Sequence, residues 1–198
     1  MAFIVPKEKY TNRLLAGDIE ANNLLQDVTK LWCIVSQDIE TDEVFLFHDY
    51  PEYDGAEVFD PADGKSYIIP KRTGTFIEGV RFWYLAAHNG SKLIIHNCEA
   101  YDRPVLETFY PKFKTPDEAW WDTLIQSKMQ WYERPTPKGC KGQHGLQAYG
   151  ARFGVMKPEV RDWAEMDAFK LHRCIQDNQI QAKTFLYLEK ERKMVQDR

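Results

Sequence analysis

Asp18-Ile19-Glu20 sets two carboxylates one residue apart at the end of the run Leu14-Leu15-Ala16-Gly17. On a β-strand, residues i and i+2 face the same side, so both acids point one way while Ile19 turns into the core. Like charges at that spacing repel unless one holds a proton or a cation lies between them. A hard divalent ion such as Mg2+ or Mn2+ takes oxygen ligands and resolves the conflict. Taken alone, the same triplet also describes a solvated strand end.

Two other stretches carry the same kind of group. Lys92 to His96 reads as a short apolar strand, Asn97 ends it, and Asp102 falls in the first turn of a following helix. That puts a carboxylate near a strand C-terminus, where open α/β sheets gather their sites; an acidic first turn also compensates a helix dipole. Further on, His172 precedes Asp177 by five residues. Within one continuous helix they diverge by roughly 140°, so they meet only if His172 lies at or before the helix start. Asp18, Glu20, Asp102 and Asp177 supply four carboxylates, enough for two divalent ions about 4 Å apart that steady the attacking and leaving oxygens of phosphodiester cleavage. A neutral His172 beside them would take a proton from the attacking water.

The elements that must position these groups are legible from patterning. Leu14–Glu20, Leu31–Val35 and Val44–Phe47 read as three consecutive antiparallel strands. Residues 50–74, dense in Pro and Gly, read as loop with one short strand at Tyr67–Ile69. Helical spacing covers Phe76–Ala87. Then come a strand at Lys92–His96, a helix over Tyr101–Phe109, a strand at Ala119–Trp121 and a helix over Thr123–Trp131. After a second Gly/Pro loop, Glu133–Gly145, follow a short helix (Leu146–Phe153) and a long one starting at about Met166 or Leu171 and reaching Met194. A meander followed by alternating helices and strands is an α/β domain with a mixed sheet.

Composition narrows the choice. The 198 residues suit one domain, 1–198, with a flexible arm over 1–12. A net charge of −4 excludes a grip on nucleic acid by the whole surface, but not a local basic groove. No run approaches the ~18 apolar residues of a membrane span and no signal-peptide run opens the chain, so an intracellular, cytoplasmic protein is expected. The four cysteines are scattered without a C-x-x-C pair, against zinc or a disulfide scaffold. Gly64-Lys65-Ser66 mimics the end of a P-loop, but Phe59 stands where the first Gly is needed. His48, His88 and His96 have no partners at recognisable spacing and read as structural.

The ordered motifs resemble the DEDD (Asp-Glu-Asp-Asp) 3′–5′ exonucleases, which have a ribonuclease H-like fold: Asp18-x-Glu20, Asn97-x4-Asp102 and His172-x4-Asp177. The last spacing is that of the DEDDh branch. The DEDDy branch has Tyr four residues before its final Asp, where this chain has Arg173. Asp18 to Leu25, His96-Asn97 with Tyr101-Asp102, Asp122-Thr123-Leu124 and His144 to Gly150 are similar to the proofreading domain of podovirus-type phage DNA polymerases, although those domains generally carry the Tyr variant. The matches run from about residue 14 to about 190. The fold implied is a ribonuclease H-like mixed five-stranded sheet, an antiparallel meander plus parallel strands, flanked by helices.

The resemblance implies a metal-dependent 3′–5′ exonuclease releasing nucleoside monophosphates from single-stranded DNA ends. Asp18, Glu20, Asp102 and Asp177 would bind two Mg2+ or Mn2+ ions, and His172 would be the general base. Asn22, Asn23 and Leu24 would contact the terminal nucleotide. For Leu24 the physical reason is an apolar platform for an unstacked base, against ordinary core packing. His144, with Lys138, Lys141 and Arg152, forms either a phosphate-facing patch or a solvated loop. Asp122 is either a helix N-cap or a support for the site. Implied partners are single-stranded nucleic acid, DNA over RNA, and a replication polymerase; the chain is either a stand-alone nuclease or a domain of something larger, in the host cytoplasm if phage-encoded. Two alternatives remain at this level: an exoribonuclease or oligoribonuclease, distinguished by contacts to the 2′-OH, and a binding module that uses the groove without cleaving.

Overall fold

The computed structural model describes residues 4–155, 157, 160 and 165–196. Its centre is a mixed five-stranded sheet built from β1 (Leu14–Ala21), β2 (Leu31–Asp38), β3 (Val44–His48), β6 (Lys92–Ile95) and β7 (Trp120–Asp122), in the order β3-β2-β1-β6-β7. The first three strands form an antiparallel meander, with Asp18 opposite Val35 and Glu20 opposite Cys33. β6 runs parallel to β1, and β7 parallel to β6. This is the α/β architecture expected, and it is consistent with a ribonuclease H-like fold.

Alternation along β1 divides its side chains between two layers. Leu15 and Ile19 join one core with Phe82 and Trp83 of α1 (Phe76–His88), while Asp18 and Glu20 face the opposite layer, where α5 (Ala168–Gln196) lies. Gly17, between Leu15 and Ile19 on the α1 side of the strand, is required for a steric reason. A Cβ there would sit 2.6 Å from Trp83 Cζ2, so only glycine leaves the indole its place against β1. Helix α1 starts where the Glu78 carboxylate accepts the Thr75 N–H at 2.8 Å. On the α5 side, Trp32, Val35, Leu171 and Cys174 form a second core. The layers leave a cavity open at the C-terminal ends of β1 and β6.

Several features differ from the sequence expectation, among them β2, which runs on to Asp38 rather than ending at Val35. Residues 50–74 contain a two-stranded hairpin, β4 (Glu57–Asp60) and β5 (Lys65–Ile68), rather than one short strand. Its four-residue turn closes on Gly64 at φ +73°, a left-handed conformation suited to glycine. The described part of the arm, residues 4–12, is docked: Val5 and Tyr10 are buried in the α1-side core, and the Ser91 hydroxyl donates to the Tyr10 carbonyl at 2.9 Å. Residues 1–3 lie outside the described residues. Helix α5 starts at Ala168, between the two expected positions, because Asp167 caps it: its Oδ1 accepts the Lys170 N–H at 2.8 Å. The strand expected through His96 ends at Ile95. Helices α2 (Asp102–Phe109), α3 (Thr123–Gln130) and α4 (Leu146–Phe153) fall where expected. Among the described residues, no helix is long and apolar enough to cross a membrane.

Candidate functional site

Three segments bring acids to one cavity of about 560 Å3 at the C-terminal ends of β1 and β6. Asp18 and Glu20 come from β1. Asp102 is the first residue of α2, and Asp177 projects from α5. Asp102 and Asp177 are each 3% exposed, and Oδ1 of each is a buried oxygen with no hydrogen-bond partner. Buried carboxylate oxygens without donors are costly in a protein at rest.

The electrostatics follow from that packing. Burial, reinforced by the Asp177 charge, raises Asp18 to about 7. Burial and the Asp18 charge push both Glu20 and Asp102 well above the ordinary carboxylate range. Two cations offset part of the repulsion. Lys157 Nζ lies 2.6 Å from Asp177 Oδ2, and Arg173 Nε lies 3.7 Å from Glu20 Oε1 and 3.8 Å from Asp177 Oδ2. Asp18 also accepts from Gln181 Nε2 at 3.2 Å and from the Cys174 thiol at 3.6 Å. Burial pushes the Cys174 thiol well up, so it remains an S–H donor. Atoms of Asp18, Glu20 and Cys174 lie within 4.8 Å of one another, in reach of one metal ion. The donor set is chiefly carboxylate oxygen, which fits a hard divalent cation, and the orphaned oxygens of Asp102 and Asp177 have room for one.

The helix start decides which face of α5 meets the acids. Because α5 begins at Ala168, His172 and Asp177 lie in one continuous helix and their side chains diverge. Arg173, Cys174, Asp177 and Gln181 share the face toward β1. His172 and Gln176 turn to the hairpin, where His172 Nε2 lies 3.1 Å from Asp60 Oδ2 and Gln176 Nε2 donates to the same oxygen at 3.2 Å. The His172 ring also stacks on Tyr67 at 4.4 Å. His172 does not line the cavity. The condition that would have made it a base beside Asp177, a position at or before the helix start, is not met.

The segment after β1 reaches over the cavity. Asn22, Asn23 and Leu24 all line it, with Leu24 71% exposed, so Leu24 is not a core residue. The Asn22 side chain is engaged by its own loop: Oδ1 accepts from the Thr29 and Lys30 N–H groups at 3.0 Å, and Nδ2 donates to Thr29 Oγ1. Tyr101 Oη donates to the Asn23 carbonyl at 2.6 Å and braces this loop against α2.

Asp122 is both of the things expected of it. Its Oδ1 caps α3 by accepting from Leu124 and Ile125, and also accepts from Asn97 N–H at 3.1 Å, while Oδ2 takes Glu99 N–H at 3.3 Å. The turn that leads into Asp102, with Asn97 at φ +70°, is thereby fixed. His144 is not brought to the cavity. It is 7% exposed and satisfied internally, with Nδ1 2.7 Å from Ser127 Oγ and Nε2 2.9 Å from the Tyr132 carbonyl. Arg152 turns away as well, donating to the Pro135 carbonyl. His144 is therefore an internal brace of the loop, while Lys138 and Lys141 stay exposed. His96 lines the cavity with its Nδ1 on Thr123 Oγ1, and burial lowers it to about 4.

The residues that the sequence reading passed over are Arg173, Cys174, Gln181, Lys157 and Asp60. The first three were findable: they lie four before, three before and four after Asp177, the spacings that share a helix face.

No family profile matches the chain. It is 28% identical over 165 residues to the DNA-directed DNA polymerases of Enterobacteria phage T3 and Escherichia phage T7, in each case covering 75% of this chain. The matched segment spans about 20% of each polymerase's length. That identity supports a distant relation between this chain and part of a phage DNA polymerase.

Proposed function

We propose that the protein is a metal-dependent 3′–5′ exonuclease acting on single-stranded DNA ends. The observation that carries this reading is the convergence of Asp18, Glu20, Asp102 and Asp177 on one open cavity, with two of their buried oxygens lacking donors. A set of that kind serves no structural purpose that a neutral side chain would not serve better. Mg2+ or Mn2+ held there would steady the attacking and leaving oxygens of phosphodiester hydrolysis.

The chain's own residues divide the remaining work. Asp18, Glu20 and Asp177 face the cavity from two adjoining elements and would hold one ion; Asp102, across from Asp18, would help to hold a second. Leu24, exposed at the rim, would carry the terminal base by apolar contact without reading sequence. His172 is left out of the chemistry because its imidazole is committed to Asp60. His96 is a weak base at about 4.

The test is a substrate panel of 5′-labelled single-stranded DNA, duplex, mismatched duplex and RNA, with Mg2+ or Mn2+. Mononucleotides released from DNA 3′ ends are expected. Internal fragments would make the protein an endonuclease, preference for RNA would move it to the exoribonucleases, and metal binding without turnover on any substrate would leave a binding module.

A further inference from the structure

Arg173 has no place in the chemistry above, yet it lies inside the acidic cavity. It shares the β1-facing side of α5 with Asp177, one helical turn away, and the backbone therefore fixes its reach. Its Nε sits between two carboxylates from different elements, 3.7 Å from Glu20 and 3.8 Å from Asp177. Its side chain is 16% exposed, so this charge is poorly screened by solvent. A guanidinium cannot give up its charge, unlike the carboxylates and Lys157 around it. A divalent ion entering the same carboxylates meets a permanent positive charge at short range.

We propose that Arg173 is a resident counter-cation of the carboxylate site: it neutralises Glu20 and Asp177 while no metal is bound, and a divalent ion binds only by displacing it. The inference rests on the metal-dependent reading of the cavity and adds to it what sets the metal's affinity. Four clustered acids without any countercharge would repel one another strongly at rest. Arg173 sets its positive charge between Glu20 and Asp177, and Lys157 adds a second beside Asp177. The same charges oppose the incoming ion, so the site trades affinity for resting stability. The displaced guanidinium stays within the cavity, where a backbone phosphate of a bound strand is its natural partner.

The experiment is calorimetric titration of the intact chain with Mn2+ in the absence of nucleic acid, with circular dichroism melting of each variant as the folding control. R173Q is expected to bind Mn2+ roughly ten-fold more tightly than the original chain. R173K, which keeps a charge on a more mobile stem, is expected to stay within about three-fold of the original. A folded R173Q that binds Mn2+ no more tightly than the original overturns the counter-cation role and leaves the metal reading standing. A folded original chain that binds no Mn2+ overturns both. D18N distinguishes the two: it is expected to abolish tight binding in either background, and retained tight binding would place the metal elsewhere.

Discussion

Helix α5 buries carboxylates against both of its faces, and the two environments differ in kind. On the hairpin face, Asp60 is fully buried and supplied with donors: Ala62 N–H at 2.8 Å on Oδ1, His172 and Gln176 on Oδ2. On the β1 face, Asp102 and Asp177 keep oxygens with no donor, and burial, reinforced by the Asp177 charge, raises Asp18 to about 7. A carboxylate with its donors in place fastens one element to another. Carboxylates left short of donors around a cavity are poised for a cation from outside. His172 belongs to the first environment and Asp177 to the second, although five residues separate them.

The largest effect expected from this contrast is on turnover. D18N and D177N remove ligands from the β1 face while conserving shape, and each should lower Mg2+-dependent mononucleotide release by on the order of 10³-fold or more. Both variants should fold. Wild-type release by either one would separate the cavity acids from the chemistry.

His172→Ala probes the other face. It leaves Asp60 buried with one fewer donor, which costs about 1–3 kcal/mol. Urea unfolding should show that loss, while turnover per folded molecule changes by less than about three-fold. The reverse pattern, unchanged stability with a collapse of turnover, would return the imidazole to the chemistry and erase the distinction between the two faces.

The residues explain why one face was legible in the sequence and the other was not. Asp18, Glu20 and Asp102 were readable because strand alternation and a strand-end position fix direction locally. The direction of His172 depended on where α5 begins, and that start is set by Asp167, a capping residue whose signal was present but weaker than the apolar spacing around it. Asp60 was hidden for a different reason. The Pro and Gly residues of 50–74 read as loop, whereas Pro61 and Gly64 only close the turn of a hairpin. Its link to α5 spans more than a hundred residues of chain, which no local pattern reveals. His144 was misread through the same blindness: a basic loop in sequence folds its imidazole inward onto Ser127. The sheet, in contrast, follows from apolar runs alone.

A smaller effect is expected in the pH dependence of the metal-free protein. Asp18 in the folded chain holds its proton to about 7, against 3.8 for the ordinary group. Between those values the folded form binds more protons than the unfolded one, so stability is full below about pH 4 and falls as pH rises through 7. Glu20 and Asp102 act in the same direction. Melting in a chelator should therefore shift downward between pH 5 and pH 8, by an amount on the order of 2–4 kcal/mol. D18N should flatten that slope, and saturating Mn2+ should abolish it. A chelated protein that gains stability over this range would mean that the cavity acids are already ionised and supplied with countercharge.

The smallest effect separates two neighbours in the loop over the cavity. Leu24 is exposed and touches little, so Leu24→Ala should leave the urea midpoint unchanged within about 0.5 kcal/mol. Losing an apolar platform for one base should still weaken single-stranded DNA binding by about five- to ten-fold, measured in Ca2+ by fluorescence anisotropy. Asn22 points the opposite way: its amide holds Thr29 and Lys30, and through them the loop that presents Leu24. Asn22→Ala should weaken DNA binding by loosening that presentation, and the double variant should be no weaker than the worse of the two singles, because both act through one contact. Additive losses in the double variant would give Asn22 a contact of its own with the strand. The loop would then hold two independent subsites rather than one platform and its brace.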